Sequence, residues 1–368
     1  MGQHGRYGTF WSMLRCARWM KINHVYFVFH TVCTTFAGRN KRNPMKHIIG
    51  IGNALTDALV RIENDSVLDT LSLPKGSMQL IDEHRLPAIR TMMGTMNVSK
   101  ATGGSAGNTM LALANLGAIP GFIGKVGDDD FGRFFSSNAT AHGIRPQMVI
   151  SRTLPSGVAH TFISPDGERT FATYLGAAGD MQADDLCPEM FDGYDYLYIE
   201  GYLVQNHDLI LRVIELAKAK GLKLCLDLAS YNIVESDHAF FEQILTDSID
   251  VVFANEEEAR AFAHCEPDKA LERLAELCEV AVVKLGSKGS SIMYQGQKTV
   301  ADCLPVKDVV DTTGAGDFYA AGVMFGILNG WNMDRCARAG TLLAGSVIQS
   351  VGTTLPASEW KNLRDAIL

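Results

Sequence analysis

Short β-rich runs alternate with helical patterns along most of this 368-residue chain. After Gly121 the runs are 122–126, 196–200, 222–228, 251–254 and 280–285, with helical patterns such as 130–142 and 207–220 between them. Strands separated by helices of about 10 or more residues predict a parallel sheet that helices cover on both faces. An earlier apolar run fits a buried parallel strand that ends at a ligand-binding edge of the same sheet, at 47–53. The pattern therefore predicts a doubly wound, mainly parallel α/β fold.

The segment DTTGAGD at 311–317 leads directly into an apolar run, 318–328, that is typical of a buried helix. A glycine-rich turn before a helix leaves the first N–H groups of that helix unpaired, at the positive end of its dipole. Gly314 and Gly316 have no Cβ, so the backbone can approach a phosphate group closely there. The turn therefore predicts an anion site.

A carboxylate beside this turn would repel a phosphate, but it would serve well as a base. Asp317 is placed to take the proton from an attacking hydroxyl group. The amides of Gly314, Ala315 and Gly316 would stabilise the charge on the transferred phosphoryl group. The alternative is an aspartate that only caps a helix after a glycine-rich turn, since Asp is a favoured N-cap residue.

A second glycine turn also precedes a helical pattern. Gly103 and Gly104 come before the pattern 105–116, and Asn108 falls in the first turn of the predicted helix. Its amide can both donate to and accept from a polyol, so Gly104 and Asn108 are predicted to bind substrate. The alternative is a simple turn with Asn as a modest capping residue.

These two segments carry a resemblance. DTTGAGDFYAAG at 311–322 resembles the C-terminal motif of the ribokinase-like (PfkB) sugar and nucleoside kinases, and GGSAGN at 103–108, with Leu-Gly at 116–117, resembles their N-terminal motif. The likeness covers about residue 46 to the end. Within the family, the segments at 164–170, 173–177 and 198–203 resemble bacterial adenosine-kinase-like members. The resemblance implies a ribokinase-like fold with a small β-sheet lid, and transfer of the γ-phosphoryl group of ATP to a hydroxymethyl oxygen.

The resemblance also implies site residues elsewhere. Asp57 matches the aspartate that binds the hydroxyl pair of the sugar. Asn255 and Glu258 match an N-x-x-E motif that meets phosphate oxygens and, through water, Mg²⁺. The alternative is that Asn255 and Glu258 are ordinary residues of a helix start, where acidic side chains are favoured. A monovalent cation such as K⁺ is expected near Asp311 and the carbonyl groups around 347–352.

The strand that ends at Lys284 is followed by two glycines, Gly286 and Gly289, which would allow ATP to approach closely. Lys284, Gly286 and Gly289 are therefore predicted to bind ATP. A plain hairpin turn into the run 290–294 explains the glycines equally well. The lid is expected from strand-like pieces between about 58 and 81 and between 158 and 174, the latter joined by Pro-Asp-Gly.

Composition limits the partners. The net charge of −8 argues against nucleic acid or an anionic membrane surface as a partner, so a small molecule is expected, bound by a monomer or homodimer. The eight cysteines lack metal-site spacing and suggest buried thiols in a reducing, cytoplasmic compartment. Residues 1–44 carry seven basic residues and no acidic one. They are interpreted as an extension upstream of a working initiator at Met45, or else as a cleaved targeting segment, with the kinase domain at 45–368.

Three functions remain open at this stage. The first is a kinase of adenosine or a related purine nucleoside. The second is a PfkB kinase of a free sugar such as ribose, fructose or 2-keto-3-deoxygluconate. The third is a catalytically silent sugar-binding protein, which the intact glycines and Asp317 disfavour.

Overall fold

The computed structural model describes residues 45–368, and the predicted extension at 1–44 lies outside them. The strands are β1 (Ile48–Ile51), β2 (Leu55–Arg61), β3 (Met78–Leu80), β4 (Ser99–Thr102), β5 (Gly121–Gly127), β6 (Arg145–Ser151), β7 (Gly157–Ile163), β8 (Arg169–Tyr174), β9 (Tyr196–Glu200), β10 (Lys223–Asp227), β11 (Val251–Asn255), β12 (Val280–Lys284), β13 (Ser290–Tyr294) and β14 (Gln297–Ala301). The helices are α1 (Ser66–Thr70), α2 (Leu86–Met93), α3 (Ser105–Asn115), α4 (Asp130–Ala141), α5 (His207–Ala219), α6 (Tyr231–Ser236), α7 (His238–Asp247), α8 (Glu256–Ala263), α9 (Pro267–Leu277), α10 (Ala315–Leu328), α11 (Met333–Val347) and α12 (Ala357–Ile367).

The larger sheet has nine strands in the order β14-β13-β12-β11-β10-β9-β1-β5-β6. From β6 to β12 every neighbouring pair is parallel, whereas β13 and β14 add an antiparallel edge. The carboxyl ends of the parallel strands therefore lie along one edge, where open sheets of this kind bind ligands. The predicted doubly wound, mainly parallel sheet is confirmed.

Helices cover both faces of this sheet, as the side-chain alternation within the strands requires. In β1, Ile48 packs with the buried residues of α3, α10 and α11, while Ile49 and Ile51 pack with those of α5, α7 and α9. Helix α10 is buried around most of its circumference. This burial explains why its sequence is apolar throughout rather than amphipathic.

The smaller sheet is the lid, with the strand order β3-β8-β7-β2-β4. One of its faces packs on α1 and α2 through residues such as Val60, Phe162 and Leu68. From the sequence, Asp57 was expected to follow the end of β1 at a strand-to-helix edge. This expectation is wrong, because the chain enters β2 at Leu55 and Asp57 lies within that lid strand.

The predicted strands and helices are present, with ends that shift by one to three residues. Strands β4, β6 and β14 were not predicted. All three lie at sheet edges, and β4 is the short polar sequence SKAT, so none of them shows the apolar alternation of a buried strand.

The burial expected for the cysteines is only partly correct. Within the described residues, Cys225, Cys278 and Cys336 are buried, whereas Cys187 and Cys303 are exposed, and all of these cysteines are free thiols.

Candidate active site

The glycine turn and helix α10 have the backbone geometry that the predicted anion site requires. Gly314 is the N-cap residue with φ +76°, a conformation that glycine adopts without strain, and its carbonyl accepts from Phe318 N at 2.9 Å. The Ala315 N–H donates to Thr312 O at 3.2 Å. Among the described residues, the N–H groups of Gly314 and Gly316 have no protein acceptor. Two of the three predicted amides are thus available in this conformation.

Asp317 lies in the first turn of α10 and is held by helix α3. Its Oδ1 accepts from Ser105 Oγ at 2.7 Å, and its Oδ2 accepts from Asn108 Nδ2 at 2.9 Å. Burial raises the pKa of Asp317 to about 6, although these two hydrogen bonds oppose the rise. A carboxylate with this pKa is mostly ionised at neutral pH. Its pKa is also close enough to 7 for the group to accept a proton, as a general base requires.

Asn108 uses part of its side-chain amide within the protein, and its contact with a substrate stays a prediction. Its amide nitrogen donates to Asp317, while its Oδ1 is buried and has no hydrogen-bond partner among the described residues. Gly104, the N-cap of α3, has φ +83° and accepts from Asn108 N at 2.8 Å. Asn108 therefore holds the carboxylate of Asp317 through its amide nitrogen, while its Oδ1 has no partner.

Glu200, at the carboxyl end of β9, ties the start of α3 to the main sheet. Its Oε2 accepts from Ala106 N at 3.1 Å, and its Oε1 accepts from Asn53 Nδ2 at 2.7 Å. The side chain is 2 % exposed, and burial raises its pKa to about 7. In the sequence, Glu200 stands out only as part of the resembling segment at 198–203. Its position fixes the segment that carries Ser105 and Asn108.

A second pair lies at the ends of β10 and β12. Lys284 Nζ donates to Asp227 Oδ2 at 2.9 Å. Burial lowers the pKa of Lys284, but the carboxylates of Asp227 and Glu258 outweigh it and raise the pKa above its ordinary value. Lys284 Nζ would lie 3.2 Å from a Cβ placed on Gly316. The positive charge of Lys284 is thus directly at the mouth of α10.

Asp57 lies on the lid close to the segment that leads into α3. A Cβ on Gly103 would lie 2.4 Å from Asp57 Oδ1, so this carboxylate packs directly on the Gly103 backbone. Asp57 lines a cleft of about 490 Å³ between the lid and residues 351–354, and Asp317 is not among the lining residues. Burial raises the pKa of Asp57 to about 7, against the influence of Arg169, which lowers it.

Asp311 is already surrounded by donors. Its Oδ1 accepts from Thr313 N at 3.0 Å, its Oδ2 accepts from Gly352 N at 2.7 Å, and Arg169 Nη1 of the lid lies 2.8 Å from Oδ2. Burial raises the pKa of Asp311, but the two backbone donors and Arg169 outweigh it and hold the pKa below its usual value. No role for Arg169 is predicted from the sequence.

Residues 79–360 match the model of the pfkB family of carbohydrate kinases. The chain belongs to the pfkB family. Its sequence is 27 % identical to adenosine kinase 2 of Arabidopsis thaliana over 332 residues, which cover 84 % of this chain and 95 % of the relative. It is also 27 % identical to 5-dehydro-2-deoxygluconokinase of Geobacillus thermodenitrificans (strain NG80-2) over 277 residues, 71 % of this chain and 82 % of the relative.

Solved structures agree with this assignment. Adenosine kinase from Sinorhizobium meliloti matches with a TM-score of 0.77 and 33 % identity, covering 88 % of this chain and 99 % of that chain. A probable sugar kinase from Rhizobium etli CFN 42 matches with a TM-score of 0.77 and 30 % identity, covering 88 % of this chain and 98 % of that chain. The resemblance and the ribokinase-like fold are confirmed. As a pfkB kinase, the protein is an ATP-using phosphotransferase that acts on an alcohol group of a small sugar or nucleoside.

The N-x-x-E motif of this pfkB kinase forms a helix cap. Asn255 Oδ1 accepts from the N–H groups of Glu257 and Glu258, and the Glu258 carboxylate accepts from Asn255 N at 2.7 Å and Asn255 Nδ2 at 2.7 Å. Burial raises the pKa of Glu258 to about 7, and Lys284 opposes the rise. The capping alternative is therefore what the structure adopts, and contact with phosphate or magnesium water stays a prediction.

The glycines after β12 form the hairpin turn that leads into β13. Gly286 has φ +57° and Gly289 has φ +88°, so the turn itself accounts for both residues. Their contact with ATP stays a prediction. Within residues 45–368, no helix has the length and apolar character that a membrane span requires.

Proposed function

We propose that this pfkB kinase transfers the γ-phosphoryl group of ATP to the hydroxymethyl oxygen of a purine nucleoside, with adenosine as the expected acceptor. The observation that supports the chemistry is the position of Asp317, a buried carboxylate with a pKa of about 6 in the first turn of α10. Asp317 accepts the proton of the attacking hydroxyl as the oxygen bonds to phosphorus and the bond to ADP breaks.

The charge on the transferred phosphoryl group is stabilised by the mouth of α10. The free N–H groups of Gly314 and Gly316 donate to its oxygens, and the helix dipole favours negative charge there. The Ala315 N–H joins them if its 3.2 Å bond to Thr312 O opens. Lys284 adds a fixed positive charge beside Gly316, since its ammonium group is held by Asp227.

Magnesium fits this site only through water. Across residues 45–368 no cluster of three or more His, Cys, Asp or Glu side chains is arranged to hold a metal ion. Mg²⁺ typically keeps several waters and binds through one or two carboxylates together with substrate phosphates. Glu258 is the proposed contact to that water shell, and the ion would neutralise charge on the phosphates.

Residues of the lid and of helix α3 beside the main sheet together offer hydrogen-bond acceptors that suit the hydroxyl groups of a ribose. The carboxylate of Asp57 suits a pair of vicinal hydroxyl groups, and the buried Oδ1 of Asn108 is a free acceptor beside the base. A purine nucleoside is favoured over a free sugar because the Sinorhizobium meliloti adenosine kinase is 33 % identical across most of this chain.

One observation favours a second candidate, a sugar acid. Arg61 and Lys100 line the same cleft as Asp57, and a carboxylate on the acceptor would pair with such cationic side chains. The relative from Geobacillus thermodenitrificans named above is a kinase of this type of acceptor by its name.

A substrate panel tests the proposal. With purified protein and Mg-ATP, adenosine, inosine, ribose, fructose and 2-keto-3-deoxygluconate are compared by kcat/KM for ADP release. We expect adenosine to exceed ribose by at least about 10²-fold, since a site built to hydrogen-bond the missing groups discriminates strongly. A free sugar or sugar acid with the highest kcat/KM would replace the nucleoside assignment and leave the chemistry at Asp317 untouched.

A further inference from the structure

Several of the oxygens expected to bind a monovalent cation already accept hydrogen bonds within the protein. Each oxygen of Asp311 accepts a backbone N–H, from Thr313 and from Gly352. The carbonyl of Ile348 accepts from the N–H groups of both Val310 and Asp311, at 2.8 and 3.2 Å, and the carbonyl of Val347 accepts from Ser350 N at 3.0 Å. A K⁺ ion at Asp311 would have to share these oxygens with the N–H groups that already donate to them.

The space beside Asp311 is filled by a guanidinium group. Arg169 Nη1 lies 2.8 Å from Asp311 Oδ2, and the two side chains are only 9 % and 10 % exposed. Arg169 Nη2 lies 3.5 Å from the position of a Cβ on Gly352, which places the guanidinium against the backbone that would border the cation. A second positive charge at this carboxylate would meet like-charge repulsion in a poorly solvated region.

Asp311 needs a counter-charge, because it begins the glycine turn that forms the anion site. An uncompensated carboxylate close to that turn would weaken its field at an incoming phosphate. Arg169 is the first residue of lid strand β8, whereas Asp311 belongs to the segment before α10. The positive charge that balances Asp311 therefore belongs to the lid.

We infer that Arg169 takes the place of a monovalent cation at Asp311, so that this enzyme neither binds K⁺ there nor depends on it. The lid then has a second role beyond covering the acceptor, since Arg169 balances the charge of Asp311 while the two side chains are in contact. The kinetic part of this inference rests on the proposed phosphoryl transfer, whereas the binding part does not.

The test compares wild type with Arg169→Gln, which removes the charge, and Arg169→Lys, which keeps it. Arg133→Gln serves as the control, because Arg133 pairs with Asp128 and Asp130 on the exposed surface. Melting temperatures are measured without substrate in KCl and in tetramethylammonium chloride at matched ionic strength, which separates ion binding from screening. The kcat/KM for adenosine with Mg-ATP is measured in the same two salts.

We expect wild type, Arg169→Lys and Arg133→Gln to differ by less than about twofold in kcat/KM between the salts, and to melt at the same temperature in both. Arg169→Gln should melt higher in KCl, and its reduced kcat/KM should rise at least about fivefold there, because the vacated site now admits K⁺.

A wild-type enzyme that K⁺ stabilises or activates fivefold or more would overturn the inference. So would an Arg169→Gln variant that responds to K⁺ in neither measurement. If Arg169→Gln has no turnover, its melting temperatures decide. If no acceptor is phosphorylated by wild type, the proposed function fails, while the melting comparison still answers the question of K⁺.

Discussion

Asn108 donates to Asp317 at 2.9 Å although the two residues are 209 positions apart in the chain. One lies in the first turn of α3 and the other in the first turn of α10, and each of these helices follows a glycine turn. The packing of α3 on α10 brings the two glycine turns together. The first glycine motif therefore also orients Asp317, the proposed base of the second motif.

We predict that Asp317→Asn lowers kcat by about 10²- to 10⁴-fold and leaves ATP binding nearly unchanged, because the amide keeps the shape but cannot accept a proton. Steady-state kinetics and calorimetric titration with ATP provide the measurement. Asp334→Asn, in the exposed first turn of the next helix, is the matched control. A near-normal kcat in Asp317→Asn would exclude the proposed mechanism.

The pH profile should depend on Asn108. Asp317 must be ionised to act as a base, so kcat/KM should rise with pH through the pKa of about 6. Asn108→Ala removes a donor that stabilises the charged form, so this limb should move upward by about one pH unit. Asn115→Ala is the control, since Asn115 lies on the same helix and donates to Leu111 O. An unmoved acid limb in Asn108→Ala would show that another group titrates.

The features that could be predicted from the sequence are those that depend on residues close together in the chain. The strand and helix pattern repeats within short windows, and Gly314 and Asp317 belong to one contiguous motif, so neither depends on distant contacts. Asp227 was missed because an Asp near the end of a β-rich run indicates no role by itself. Its role depends on Lys284, which is 57 residues later in the chain but lies beside it in the fold. Arg169 was missed for the same reason, since its partner Asp311 belongs to a different part of the fold.

The direction of the Asn108 side chain was also beyond the sequence. Its spacing from Gly103 and Gly104 placed it in the first turn of α3, which the structure shows. Whether the amide faces a substrate or Asp317 depends on how α3 packs against α10, and no local pattern encodes that distance.

The lid should lose stability in acid through His160. Its Nδ1 contacts Ala172 O at 3.1 Å, its Nε2 is buried without a partner, and burial lowers its pKa from 6.5 to about 4. As pH falls, the unfolded chain therefore binds a proton at His160 before the folded protein does. The contribution of neutral His160 to stability is fully present above about pH 6.5 and is lost as pH falls toward 4. The lost stability is about 3 kcal/mol.

Chemical denaturation between pH 7 and pH 4 measures this effect. His160→Leu should flatten the fall in unfolding free energy over that range, whereas His142→Leu, at an exposed site, should not. An equal slope in wild type and His160→Leu would assign the acid sensitivity to other groups.

A chain that begins at Met45 should fold and keep full activity. Residues 45–368 contain both sheets and the three apolar clusters, and Lys46 N already donates to Leu328 O of α10 at 3.1 Å. Melting temperature and kcat/KM of the shortened and full chains are the comparison. A drop in either beyond experimental error would show that residues 1–44 contribute to the folded enzyme.

The acceptor should be bound by the ionised form of Asp57. Loss of the carboxylate in Asp57→Ala removes hydrogen bonds worth roughly 1.5–3 kcal/mol each, which is about a 10- to 150-fold rise in acceptor KM for each bond lost, with little change for ATP. Because burial raises the pKa of Asp57 to about 7, the wild-type KM for the acceptor should also rise as pH falls below 7. Asp57→Asn should lose this pH dependence, and Asp69→Ala, on lid helix α1, should behave as wild type. Equal effects of Asp57→Ala on acceptor and ATP would place Asp57 outside the acceptor site.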